Sequence, residues 1–232
     1  SYNVRIRTTD NAGGSFEKAF ALTVVDDVAP VLSGVAFDQN SVTVANQSAI
    51  SLSLAGAEVG TKASYSITSN NGGTAVTASD LAVSSATQQF TGINVSGLND
   101  GTLTVSLTLV DVAGNVSTAV TNTISKDAHV PQVSAITIGS GNYAEGDVIS
   151  VSVTLDEEVT VSGTSSTLAI VIGGTTRQAT FVSGNNGVLI YQYTVLANDN
   201  TDGMGVIALA NGLALNGDNI RDAGGNNANL AY

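Results

Sequence analysis

Short antiparallel β-sandwiches following one another along the chain are what the sequence predicts, on three observations. Apolar residues alternate with Ser and Thr at period two, Gly-containing tight turns interrupt them at short intervals, and one Asp/Gly turn motif returns about every hundred residues.

The alternation begins at Val4-Arg5-Ile6-Arg7 and returns in Ile50-Ser51-Leu52-Ser53-Leu54 and Ser64-Tyr65-Ser66-Ile67. It is longest in Thr102-Leu103-Thr104-Val105-Ser106-Leu107-Thr108-Leu109, and recurs from Val148 to Leu155 and in Leu189-Ile190-Tyr191-Gln192-Tyr193. Successive side chains of a strand point to opposite faces, so each run has one apolar and one polar face, as a half-buried strand requires. No segment carries a helical stripe of ten or more residues. Between the runs lie Asn71-Gly72, Asp100-Gly101, Gly173-Gly174, Asn186-Gly187, Asp202-Gly203, Asn211-Gly212 and Asn216-Gly217, all suited to turn positions with φ > 0.

The repeat appears when turns are aligned by spacing. Asp10-Asn11-Ala12-Gly13-Gly14, Asp111-Val112-Ala113-Gly114-Asn115 and Asp222-Ala223-Gly224-Gly225-Asn226 recur at intervals of 101 (111 − 10) and 111 (222 − 111). Sixteen residues beyond the first two copies lie Asp26 and Asp127, and twenty beyond lie Pro30 and Pro131, the only prolines in the chain. Proline fixes φ and lacks an N–H, which suits a stiff connector outside any ladder. The linkers are therefore Asp26-Asp27-Val28-Ala29-Pro30 and Asp127-Ala128-His129-Val130-Pro131. The division expected is residues 1–28 as the last strands of one repeat, 129–232 as a repeat lacking all or part of its final strand, and 29–128 between them as a complete one. On this expectation the chain is a segment of a longer tandem array.

Composition excludes several functions. Across 232 residues there is no Cys and a single His, so disulfide frameworks, thiolate zinc sites and most histidine catalysis are out of reach. With 19 Asp+Glu against 7 Lys+Arg, a net charge of −12 disfavours nucleic acid and anionic membrane as partners. The apolar runs are of strand length, short of the roughly 20 residues a membrane-spanning helix needs. No Gly-x-Ser-x-Gly, phosphate loop or His-Glu-x-x-His is present, and His129 falls in a linker with no fixed neighbours expected, so no enzymatic activity is predicted.

The stretch from Ser1 to Gly14, followed by Phe20 to Pro30, resembles the tail of a cadherin-like repeat, whose linker usually reads Asp-x-Asn-Asp-x-x-Pro. Asn99-Asp100-Gly101-Thr102 through Asn115 is similar to the penultimate strand and turn of bacterial immunoglobulin-like repeats. Residues 141–226, with Gly146-Asp147-Val148-Ile149 and Ile220 to Asn226, resemble a second such type. Repeats of these kinds occur in tandem in very large secreted bacterial adhesins of the repeat-in-toxin type. The resemblance implies immunoglobulin-like Greek-key sandwiches arranged end to end, an extracellular place on the bacterial cell surface, neighbouring repeats of the same chain as partners, Ca²⁺ as the bound ion, and a glycan or protein ligand held elsewhere in the full protein.

In such a sandwich the last two strands join at the pole where the N-terminus enters, so an Asp in that turn faces the preceding linker. Junction one would gather Asp26, Asp27 and Asp111 with Glu58, and junction two Asp127 and Asp222 with Asp156 and Glu157; Asp10 is the matching acid of the first turn. Crowded carboxylates repel unless a cation lies among them, and Ca²⁺ accepts six to eight oxygens in loose geometry. The competing reading is that each turn Asp caps its own backbone N–H groups and that the linkers are simply solvated. Asn198-Asp199-Asn200-Thr201-Asp202-Gly203 also has oxygen donors at alternate positions like half of an EF-hand loop, yet Leu209 stands where the twelfth-position Glu belongs, which favours a turn. The function expected is a calcium-rigidified spacer holding a distal binding domain away from the cell. The alternatives are a ligand-binding module, with Tyr191 and Tyr193 as a platform on one sheet face, and a surface-layer lattice protein.

Overall fold

The computed structural model describes residues 2–199 and 207–232, and every regular element in them is a β-strand. Strands β1 (Tyr2–Thr9) and β2 (Ser15–Leu22) form an antiparallel hairpin in register from Tyr2↔Leu22 to Thr9↔Ser15. Directly paired residues share a face, so Tyr2, Val4 and Ile6 join Phe16, Phe20 and Leu22 on one side. All six are exposed, and neither core described below contains a residue of this hairpin.

The middle sandwich is built from β3 (Gly34–Phe37), β4 (Ile50–Ala55), β5 (Lys62–Ser69), β6 (Val76–Ala82), β7 (Gln89–Ile93), β8 (Gly101–Val110) and β9 (Val120–Lys126). One sheet runs β3-β4-β7 and the other β6-β5-β8-β9, all antiparallel. The chain therefore crosses between sheets after β4, β6 and β7, the Greek-key connection of immunoglobulin-like sandwiches. Period-two patterning decides what is inside. In β8, Leu103, Val105, Leu107 and Leu109 are fully buried against Leu52, Leu54, Tyr65 and Ile67, while the intervening Thr and Ser stay partly exposed.

The third sandwich comprises β10 (Val133–Ile138), β11 (Val148–Leu155), β12 (Thr160–Ser162), β13 (Thr167–Ile172), β14 (Thr175–Asn185), β15 (Val188–Thr194), β16 (Ala208–Ala214) and β17 (Asn219–Arg221). It departs from the two-sheet pattern. Strand β14 is eleven residues long and pairs with both β13 and β15, joining six strands in the order β10-β11-β15-β14-β13-β16, with β12-β17 as a separate pair. A register shift between Phe181 and Ser183 lets the sheet turn at β14. It folds back on itself, because Ile149, Val151, Leu189 and Tyr191 from one half pack in a single core with Leu168, Ile170 and Ala179 from the other.

Most Gly-containing dipeptides form turns, with φ of +49° and +75° at Asn186-Gly187 and +52° and +97° at Asn216-Gly217. Asn211-Gly212 is an exception: it lies within β16, where the register against β13 shifts between Leu168 and Ile170, so its glycine serves an irregularity in a strand. Asp202-Gly203 lies outside the described residues. Both linker prolines are buried.

Two cores with no shared residue should unfold separately. Leu107→Ala deletes a fully buried side chain of the middle sandwich; it is expected to destabilise that unit by about 2–5 kcal/mol. Differential scanning calorimetry should show one transition shifting down while the third sandwich's transition stays in place.

Candidate metal centre at the junctions

The three repeated turns share one backbone. In each, the Asp N–H donates to the carbonyl four residues on, at 2.8 Å (Asp10 to Gly14), 3.1 Å (Asp111 to Asn115) and 3.2 Å (Asp222 to Asn226). The fourth residue donates back to the Asp carbonyl and has φ of +84°, +96° and +90° at Gly13, Gly114 and Gly225. Only glycine adopts that conformation without strain, which is why Gly recurs there.

The fifth position separates the copies. In the first turn it is Gly14, and Asp10 accepts only from its own turn, at Ala12 N (2.9 Å) and Gly14 N (2.7 Å). In the others it is Asn, whose carboxamide holds two elements together. Asn115 Nδ2 donates to Asp111 Oδ2 (2.8 Å) and to the Asp26 carbonyl (3.1 Å). Asn226 Nδ2 donates to Asp222 Oδ2 (2.8 Å) and to the Asp127 carbonyl (3.0 Å). Each Asn thus ties the last hairpin of its sandwich to the linker that enters it.

Junction two concentrates acids. Asp127, Asp156, Glu157 and Asp222 meet there, joined by Asp100 of the β7–β8 connection and by His129. Burial pushes the Asp127 carboxyl above its ordinary range, and the charges of Asp222 and Asp100 push it further. Glu157 is likewise raised, by burial first and then by Asp222, Asp127 and Asp156, against the opposing pull of His129. Its Oε1 is buried with no hydrogen-bond partner. Asp156 is held low, chiefly by the Gln132 N–H donating to Oδ1 at 2.8 Å, and also by His129 Nε2 3.1 Å from Oδ2. His129 Nε2 is 3.6 Å from Glu157 Oε1, and its pKa is raised mainly by the Asp156 contact. His129 therefore has fixed neighbours after all: the turn after β11 swings both acids toward the linker. Burial raises Asp100, but the hydrogen bond and charge of Lys126, 4% exposed, together with the Ala128 and His129 N–H groups, outweigh it and leave that carboxyl low.

Junction one is looser. Asp111 is held low, first by the Asn115 carboxamide. Asp26 turns its Oδ1 to Val28 N (3.1 Å), Glu58 Oε2 accepts from Val31 N (3.1 Å), and Asp27 is exposed. The two turns also differ at their third position. In the third sandwich it is Gly224, where an added Cβ would come 2.7 Å from Asp127 Oδ2 and 2.9 Å from Asp127 Cγ. In the middle sandwich it is Ala113.

Two other sequence signals resolve differently. Asp199, from the EF-hand-like stretch, is buried and accepts from Arg177 Nε (2.6 Å), Tyr193 OH (2.7 Å) and Leu196 N (2.8 Å); residues 200–203 lie outside the described ones. Tyr191 is fully buried in the core and Tyr193 OH is committed to Asp199, so the pair forms no exposed platform. Asp100, Asn115, Asn226 and Gly224 were absent from the sequence-derived ligand set. The Asn-for-Gly and Gly-for-Ala differences among the turn copies are signals in the sequence that could have marked the last three.

A carboxyl with a higher pKa folded than unfolded binds its proton more tightly in the folded state; it favours folding at low pH and loses that contribution as pH rises through the folded pKa. Glu157→Gln should therefore raise the ion-free melting temperature of the third sandwich at pH 7 and leave it unchanged near pH 3, as thermal melts in chelator would show.

No family model and no curated protein matches the chain. Among solved structures it is similar to a tetra-tandem repeat in the extending region of a large adhesion protein (21% identity over 99% of this chain and 55% of the other, TM-score 0.39). A Ca²⁺-stabilized adhesin that helps an Antarctic bacterium bind ice is similar at 16% identity over 94% and 54% (TM-score 0.42). A bacterial ice-binding adhesin of 1.5 MDa, described for host cell surface retention, is similar at 21% identity over 97% and 69% (TM-score 0.34). The chain spans about half the length of the first two. Each of these likenesses extends over 94% or more of this chain.

Proposed function

We propose that the chain is a spacer segment of a long bacterial surface adhesin, standing outside the cell, in which Ca²⁺ stiffens the joints between successive sandwiches. The observation that carries the reading is junction two, where Asp127, Asp156, Glu157 and Asp222 converge and the buried Glu157 Oε1 finds no hydrogen-bond donor. Four carboxylates with such an orphaned oxygen, and with His129 as the one nitrogen donor beside Asp156 and Glu157, suit a divalent cation. Asp127, Asp222, Glu157 and Asp156 would hold it. The ion supplies the positive charge that cancels their repulsion. Gly-rich backbone on the turn leaves room for the linker acid to approach, and Asn226 fixes the linker carbonyl beside the turn. At junction one, Asp26, Asp27, Asp111 and Glu58 would provide a second, weaker place, since their carboxylates are dispersed among local backbone N–H groups.

The gain from such binding is modest per joint: ligand at about 100 times Kd stabilises the bound state by about 2.7 kcal/mol. That is enough to hold a joint closed while leaving the cores to fold without the ion. The neighbouring repeats of the same chain are its structural partners, and any ligand of the full adhesin would be engaged elsewhere.

Calorimetric titration of the chain with Ca²⁺ is expected to show its tightest site lost in the Asp127→Asn/Glu157→Gln double variant. In wild type, chelator should lower the melting temperature of the third sandwich and, by loosening junction one, shorten the maximum dimension in small-angle scattering and open residues 26–30 to limited proteolysis. Scattering and melting profiles indifferent to chelator would sink the proposal. Gly224→Ala, which sets a methyl group against Asp127, should weaken Ca²⁺ binding at junction two by about tenfold or more while leaving the melting temperature of the middle sandwich unchanged.

A further inference from the structure

Asn226 does more than tie its own turn to the linker. It is 2% exposed, and its backbone N–H donates to Asp222 Oδ1 at 2.8 Å. Its Nδ2 donates both to Asp222 Oδ2 and to the Asp127 carbonyl, and its Oδ1 accepts from Val44 N at 3.0 Å. Val44 lies 182 residues away, in the middle sandwich. A carboxamide offers two donor hydrogens and one acceptor oxygen, and here both ends are engaged.

The platform that offers Val44 N is itself fixed. Thr43 N donates to Asn46 Oδ1 (2.8 Å), Asn46 Nδ2 to the Ser41 carbonyl (3.0 Å) and Gln47 N to the Thr43 carbonyl (3.0 Å). Val42 bridges to the linker on the same side, with Val42 N on the Ser125 carbonyl (2.9 Å) and Asp127 N on the Val42 carbonyl (2.8 Å). The two sandwiches are therefore attached at two separated points, the covalent linker and the Val44–Asn226 hydrogen bond. One point leaves a hinge free to swing; two remove that freedom. A buried polar side chain stripped of its partners costs its desolvation, so opening the joint must expose Asn226 to water or leave it unsatisfied.

We infer that Asn226 is a latch between the middle and third sandwiches, closed by hydrogen bonds alone and holding their relative orientation in the absence of any cation. This goes beyond the spacer reading and does not rest on the ion.

The test uses the whole 232-residue chain, which has no native Cys. Spin labels at Ala86→Cys and Thr176→Cys, both exposed, report one distance between the sandwiches by pulsed dipolar spectroscopy in chelator. Wild type should give a single narrow distribution. Asn226→Ala should at least double its width. Asn226→Asp keeps an acceptor for Val44 N, but it cannot donate to Asp127 or Asp222 and sets a second carboxylate against Asp222, which displaces the side chain, so it should broaden the distribution as well. Val44→Pro removes only the N–H that reaches across and leaves the third sandwich's turn intact, so it carries the test even if the Asn226 variants lower the melting temperature of the third sandwich. A wild-type distribution in chelator as broad as that of Asn226→Ala, or Val44→Pro indistinguishable from wild type, would overturn the latch. A narrow wild-type distribution in chelator together with no calorimetric Ca²⁺ binding would support the latch and remove the ion. A broad one that narrows only when Ca²⁺ is added would do the reverse.

Discussion

Everything at the joints depends on one backbone requirement, a left-handed residue at the fourth position of the last hairpin turn. Because Gly225 supplies it, the chain reverses within five residues, and the Asp at the start and the Asn at the end come close enough to hydrogen-bond each other. That pair is a rigid polar knob projecting from the pole of the sandwich. The entering linker is captured on it through a main-chain carbonyl, which leaves the linker's acidic side chain directed into the same space. Without the tight turn, neither the carbonyl capture nor the gathering of acids would follow.

Burial first, and then the charges of the neighbouring acids, push Asp127 and Glu157 up, so the ionised set is unfavourable in the bare protein. Two basic side chains lie against parts of it. Lys126, almost fully buried, neutralises Asp100, and His129 sits against Asp156 and Glu157. Neither reaches the whole set. The joint is thus held by neutral hydrogen bonds at one place and strained by charge a few ångströms away, which separates what orients the sandwiches from what responds to ions and protons.

Strand positions, the pole where the turn meets the linker, and the repeat spacing were legible in the sequence because each follows from local rules: period-two burial, glycine at positive φ, proline in connectors. Leu103 to Leu109 and Gly13, Gly114 and Gly225 all behave as those rules demand. What was not legible came from contacts distant in sequence. Strand β14 joining two halves of a sheet depends on a register shift that no local pattern marks. His129 acquires neighbours only because the turn after β11 folds over the linker, and Tyr191 is drawn inside by the core while its same-face companion Tyr193 is claimed by Asp199. The role of Asn226 depends on a loop 182 residues earlier, and only the whole assembly reveals it.

Gly224 and Ala113 differ by one methyl group at the third position of turns that share Asp, Gly and Asn at their first, fourth and fifth positions. The position lies outside both cores, and a Cβ added at Gly224 would press on Asp127, so it controls how closely the linker acid can approach the turn of the third sandwich. A tandem chain with such a switch at every pole can carry joints of unequal compliance along its length. Its bending profile is then written residue by residue in the turns, and a single mutation can soften one joint of a filament without altering the modules on either side.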